Sequence, residues 1–247
     1  MLHCLGVIRY FGISDVGCSR NSNEDAFALE PELGLFMVAD GMGGAQAGEL
    51  ASSIAVDTVV SCVREALPAR TVENLVAAIR AANTAILQQA SENADFQGMG
   101  TTVVSVLLNP PAAYVGSVGD SRLYLARGGK LGRITSDQTW VNDVGRSLGL
   151  SEEQIRTHPF RNVLTMAVGA RERIEVRSHE LSLEPGDLLL LCSDGLHGVV
   201  DEVGLTETLR SPNSLAQKAS TLIRLARRRG GPDNITAVLV QVETGDG

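Results

Sequence analysis

Thr101-Thr-Val-Val-Ser-Val-Leu-Leu108, Ala112-Ala-Tyr-Val-Gly-Ser-Val118 and Arg122-Leu-Tyr-Leu-Ala126 are three strand-like runs separated only by short turns, Pro110-Pro111 and Gly119-Asp120-Ser121. Connections this short suit antiparallel pairing, because a parallel return needs a crossover of roughly a dozen residues or more. Working outward, Tyr10–Ser14, Ala26–Leu29 and Leu33–Asp40 have the same character, with Pro31 and Gly34 as punctuation. Towards the C-terminus, Ile174–Leu181 and Asp187–Ser193 flank the turn Glu184-Pro-Gly186, and Ile235–Val242 is the last apolar run.

Between these strands the period changes. In Gly48–Leu67 the residues Leu50, Ile54, Thr58, Val59, Cys62, Val63 and Ala66 share one helical face, and Pro68 closes it. Leu75, Ile79, Ala82 and Ile86 form a second stripe, with Thr71 as its cap. A last helix is expected with Ser211 as cap, Pro212 in the first position and Leu215, Ala219, Leu222, Ile223 and Ala226 inward. Arg227, Arg228 and Arg229 would complement its dipole, and Gly230-Gly231 would stop it. Asp137–Leu150 is polar and expected to be helical; with Ser151–Thr157 it forms an insertion of little apolar content. The simplest assembly is one α+β domain, two stacked antiparallel sheets flanked by pairs of helices.

Composition narrows the function classes. A chain of 247 residues, 44% hydrophobic and 20% charged, has the profile of a globular protein with a substantial core. A formal charge of −8 argues against nucleic acid as a partner. Met1–Tyr10 lacks the features of a signal peptide, and no run has the roughly 20 apolar residues of a membrane span. Cys4, Cys18, Cys62 and Cys192 are scattered without metal-ligand spacing. A reduced, cytoplasmic setting is the economical expectation.

Four carboxylates carry the chemistry. Three apolar runs end in aspartate beside glycine: Leu35–Asp40–Gly41, Ala113–Gly119–Asp120 and Leu188–Asp194–Gly195. Asp233 stands just before Ile235–Val242. Such groups gathered on one rim would repel one another unless a cation neutralised them, and an all-oxygen set selects hard ions such as Mg²⁺ or Mn²⁺. The turn Asp40-Gly-Met-Gly-Gly44 lacks the lysine and hydroxyl of a P-loop, so its glycines serve close approach, with the Gly41 carbonyl as an additional ligand. In the loop Asp15–Asp25, Arg20 could offer a planar fork to phosphate oxygens, although alone the stretch would read as a solvated loop.

Six motifs occur in order: Asp15-x-Gly-x-x-Arg20-x-x-Asn-Glu-Asp25, Val38-Ala-Asp40-Gly-Met-Gly-Gly44, Gly100-Thr-Thr102, Val118-Gly-Asp120-Ser-Arg122, Cys192-Ser-Asp194-Gly195 and Asp233-Asn-Ile-Thr236. Together they resemble the metal-dependent protein phosphatases of type 2C in their compact bacterial form, over about Phe11 to Val242. The resemblance implies a four-layer sandwich and a two-metal centre that activates water against phosphoserine and phosphothreonine, without a phosphoenzyme. It implies that Asp40 bridges the two Mg²⁺ or Mn²⁺ ions, that the Gly41 carbonyl joins one, and that Asp194 and Asp233 hold the other. A third, weaker ion would use Asp120 and Asp194. Glu24, Asp25 and Asn234 would back the centre and orient its water, and Arg20 would bind the substrate phosphate. The segment 137–160 corresponds to a mobile flap beside the site.

Some positions depart from the family pattern. Met42, Ala45 and Gln138 stand where many relatives carry histidine, which leaves the general acid unassigned. His158 is expected to be structural, and His3, His179 and His197 surface or packing residues. The expected partners are phosphorylated proteins and a serine/threonine kinase acting on the same targets, and nothing demands more than a monomer. Two rivals remain on sequence grounds, a non-catalytic binding module of this fold and a hydrolase of small phosphoesters.

Overall fold

The structure is a computed structural model that describes residues 8–243. The expectations about His3, Cys4 and the first seven residues lie outside the described residues. The chain runs through strands β1 (Ile8–Asp15), β2 (Asp25–Glu30) and β3 (Leu35–Met42), then helices α1 (Ala45–Glu65) and α2 (Val72–Glu92). Strands β4 (Gly100–Thr101), β5 (Val103–Asn109), β6 (Ala112–Val118), β7 (Arg122–Arg127) and β8 (Lys130–Arg133) follow. After a short helix α3 (Glu152–Thr157) come β9 (Arg177–Ser182), β10 (Leu188–Cys192), α4 (Asp194–His197), α5 (Glu202–Arg210), α6 (Leu215–Arg228) and β11 (Ile235–Val242).

Two sheets result, one ordered β1-β11-β10-β7-β8 and the other β2-β3-β5-β6-β9, with β4 paired to β3. Every strand pairing is antiparallel, as the Pro110-Pro111 turn between β5 and β6 requires. The turn Gly119-Asp120-Ser121 does not pair its neighbours as expected: β6 and β7 lie in different sheets, and the turn carries the chain across the sandwich. Three buried clusters separate four layers. Leu35, Met37 and Ala39 of β3 pack with Leu75, Ile79 and Ile86 of α2. The alternate residues Phe36 and Val38 join Leu189, Leu191, Val238 and Val240 between the sheets. Leu188, Leu190 and Leu239 meet Leu205 of α5 and Leu222 of α6 on the far side. Because both faces of the central strands are covered, Leu188–Cys192 is apolar and buried at every position.

Several local expectations are corrected. Thr71 caps α2 as read, its side chain accepting from the Asn74 amide at 3.2 Å. The last helix instead starts after Ser214, which forms a capping box with Gln217; Ser211 terminates α5. Helix α5 went unread because only Leu205, Thr208 and Leu209 of its nine residues are buried, too few to define a stripe. Strand β8 is a short edge strand without a buried residue. The polar stretch after Asp137 is a single π-helical turn, Val141–Gly145. Its start is not a loose insertion: Asp137, Gln138 and Thr139 are buried. Asp137 accepts from Arg122 Nε at 2.9 Å and Nη2 at 2.6 Å, and Gln138 Oε1 accepts from the Gly119 amide at 2.9 Å.

Candidate active site

Strand alternation delivers the first carboxylate. Phe36 and Val38 face the space between the sheets, so Asp40, two residues on, faces the same way at the strand's end. The β2–β3 register sets Asp25 directly opposite Asp40. Strands β10 and β11 pair Cys192 with Ala237, so Asp194 just beyond one and Asp233 just before the other emerge at a common end. Asp120 lies in the β6–β7 turn. A cleft of about 410 Å³ opens there, lined by Arg20, Glu24, Asp40, Gly41, Met42, Asp120, Asp194 and Asp233, with Asn162 and Leu164 from the stretch between α3 and β9.

The cleft needs glycine where elements crowd. A Cβ on Gly41 would lie 2.1 Å from the Gly48 carbonyl oxygen and 2.6 Å from that of Glu24. A Cβ on Gly195 would lie 1.9 Å from the Asn234 carbonyl oxygen. Gly41→Ala is therefore expected to force β3 and α1 apart, at a cost of about 1–3 kcal/mol. A thermal melt of the variant beside the wild type measures it.

The electrostatics are those of a cation site. Burial first, then Asp25 and Asp194, hold the Asp40 carboxyl well above the usual carboxylate range. Burial and Asp194 push Asp120 up to about 8. Burial also raises Asp194, with Asp233 adding to it, while its side-chain hydrogen bond to Asp40 works the other way. Asp25 is pushed up to about 7 by burial, although Ser193 Oγ at 2.8 Å and Thr236 Oγ1 at 2.6 Å donate to its Oδ2. Its Oδ1 is buried with no hydrogen-bond partner. An orphaned carboxylate oxygen beside mutually repelling carboxyls fits hard divalent cations. Among the described residues no three acidic, histidine or cysteine side chains close into a ready metal cage.

Arg20 lies on the same rim, but not free. Its Nη2 donates to Asp233 Oδ2 at 2.9 Å, and its Nη1 is 3.9 Å from Glu24 Oε1. Glu24 is buried, its amide donating to Asn234 Oδ1 at 2.8 Å and its carbonyl accepting from the Gly41 amide at 3.1 Å. Asn234 holds the loop rather than lining the cleft, its Nδ2 donating to the carbonyls of Val16 at 3.0 Å and Ser22 at 2.9 Å.

A family model for protein phosphatase 2C matches residues 19–240. The chain belongs to the protein phosphatase 2C family. It is 35% identical over 235 residues to a serine/threonine phosphatase of Listeria innocua, covering 92% of this chain and 93% of that one. The crystal structure of the Mycobacterium tuberculosis serine/threonine phosphatase PstP/Ppp superposes with a TM-score of 0.89 at 36% identity, over 96% of this chain and 99% of that one. A structure of the PstP catalytic domain in complex with two manganese ions matches with a TM-score of 0.86 at 35% identity, over 96% and 98% of the two chains.

Sequence reasoning missed what supports this phosphatase's carboxylates. Ser193 and Thr236 fix Asp25, and Thr102 Oγ1 accepts from the Asp40 amide at 3.1 Å while bonding Ser121 Oγ at 2.7 Å. Each lies inside one of the six motifs, the one signal that could have found it. Of the surface and packing roles expected for His197 the structure gives packing: its Nε2 lies 3.0 Å from the Asp120 carbonyl oxygen, and burial with nearby Arg122 pushes it down to about 3. It is thus neutral at physiological pH and positions the Asp120 turn.

Proposed function

We infer that Asp40, the Gly41 carbonyl, Asp194 and Asp233 hold the two Mg²⁺ or Mn²⁺ ions with which this serine/threonine protein phosphatase hydrolyses phosphoserine and phosphothreonine in proteins. Asp120 and Asp194 would take a third. The observation that carries the reading is the cleft itself, which gathers an arginine and five carboxylates, those of Glu24, Asp40, Asp120, Asp194 and Asp233, from separate ends of the chain. When bound, the ions supply Lewis acidity and a water activated at neutral pH.

The chain's own groups do the rest. Arg20 uses one of its five N–H donors on Asp233 at 2.9 Å, leaving others for two phosphate oxygens. That grip orients phosphorus for attack. Its pairing with Asp233 keeps the guanidinium at the rim before substrate arrives. Glu24 and Asp25 back the centre, Asp25 steadied by Ser193 and Thr236. Met42 lines the cleft without a transferable proton, so no histidine donates to the leaving oxygen from that position.

Arg20→Ala is expected to raise KM for a phosphopeptide by about tenfold to a hundredfold with a smaller change in kcat, as steady-state kinetics would show. The reading itself is tested by following phosphopeptide and aryl phosphate hydrolysis with Mn²⁺ and with chelator. Metal-dependent turnover of both is expected; no turnover would leave a binding module, and turnover of the aryl ester alone a small-molecule hydrolase.

A serine/threonine kinase acting on the same targets, and through it a part in signalling, follows from the substrate class. A monomer and a single catalytic domain over residues 1–247 remain part of the proposal. Cys18, Cys62 and Cys192 are unpaired, which supports a reducing, cytoplasmic compartment. No helix among the described residues is long and apolar enough to cross a membrane.

A further inference from the structure

A second cavity, also of about 410 Å³, lies against the loop that carries Arg20. Ile13, Cys18 and Ile223 line it, and Arg224, Arg227 and Arg228 of α6 stand around it. Spaced three and four apart, these arginines share one helix face, where like charges repel. Dipole matching accounts for only part of the run. Arg229 is used in the fold, donating to the Val199 carbonyl at 2.8 Å and to Asp201 Oδ1 at 3.1 Å. Arg227 donates to Asp15 Oδ1 at 2.6 Å. Arg224 reaches only the Thr221 hydroxyl, at 3.2 Å, and Arg228 has no hydrogen bond or ion pair among the described residues. Two exposed guanidinium groups without a carboxylate thus flank a cavity on a chain of net charge −8.

The wall between this cavity and the catalytic cleft is one pair of loops. The Cys18 amide donates to the Gly231 carbonyl at 2.8 Å, and two residues further along each loop Arg20 meets Asp233 at 2.9 Å. Two residues of chain span at most about 7 Å, so the cavity and the phosphate-facing arginine are close neighbours. A polypeptide laid across that pair of loops would come within reach of α6.

We propose that this cavity is an accessory anion subsite that takes an acidic side chain of the substrate polypeptide. Its carboxylate pairs with Arg224 and Arg228, whose forks match it, and its methylene stem rests on Ile13 and Ile223. On a chain of net charge −8 the two arginines set a positive field next to the loop that carries Arg20. The proposal rests on the reading of the cleft as a phosphoprotein phosphatase site.

The test compares two phosphopeptides, identical except for glutamate or glutamine flanking the phosphoresidue, on the Mn²⁺-loaded wild type and on Arg224→Ala/Arg228→Ala. The glutamate peptide is expected to show a KM about tenfold lower on the wild type at low salt, a gap that closes at high salt and in the variant. Aryl phosphate kinetics should be unchanged, which establishes that the variant folds and separates this proposal from the phosphatase reading. Arg224→Glu/Arg228→Glu should reverse the preference and keeps the test open if the alanine variant is unstable. Equal KM values on the wild type, or a gap that survives either double substitution, would overturn the subsite.

Discussion

Asp40→Asn is expected to yield a folded protein that does not turn over. The side chain is proposed to bridge both ions, and losing charge there removes several kcal/mol of transition-state stabilisation, about a thousandfold or more in kcat. The fold should not suffer, because the contacts of Asp40 to Thr101 and Thr102 use its backbone. The opposite is expected in chelator: Asp40 lies opposite Asp25 and near Asp194, so removing a carboxyl relieves repulsion. A melting temperature a few degrees above wild type in chelator, with kcat near background in saturating Mn²⁺, is the joint signature. A wild-type rate for Asp40→Asn would end the two-metal account.

The second large effect couples protons, ions and stability. Asp25 and Asp120 titrate at about 7 and about 8 in the fold, whereas an unfolded aspartate titrates near 3.9, on the order of an ordinary carboxyl. Between those limits the folded state binds protons that the unfolded chain has released. Stability of the metal-free protein therefore falls as pH rises through this window, and the loss is complete above the folded values. Divalent ions bind the ionised forms and stabilise only the fold, so their effect has the opposite slope. Melting in chelator should drop between about pH 5 and about pH 8.5, and the rise produced by Mn²⁺ should be several degrees larger at the upper end. A Mn²⁺ increment independent of pH would show that Asp120 takes no ion and that Asp25 does not back the ion centre.

Features set by nearest neighbours along the chain were readable before any coordinates. The Pro110-Pro111 turn imposed antiparallel pairing of β5 with β6, and Ile235–Val242 appears as β11 with the boundaries read; the equally short Gly119–Ser121 turn instead passes the chain from one sheet to the other. Thr71 capped its helix because an N-cap needs only an oxygen within one turn of its partner. Failures occurred where the deciding contact is distant. Ser211 and Pro212 had the composition of a helix start, yet the capping box formed three residues later at Ser214 and Gln217. Asp137 and Gln138 looked like flap surface and proved to be buried partners of Arg122 and Gly119.

The amino-acid order alone named the residues proposed for the active site: aspartates at strand ends beside glycines, and an arginine in a polar loop. It could do so because strand ends and tight turns are local properties, and six ordered motifs leave little freedom. Only the folded chain decided what those groups meet. Arg20 rests on Asp233, Asp25 keeps one oxygen without a donor, and arginines suited to a helix dipole border a cavity instead. Those outcomes depend on sheet register and loop packing between residues some two hundred positions apart, and energies of that kind are absent from any short stretch of sequence.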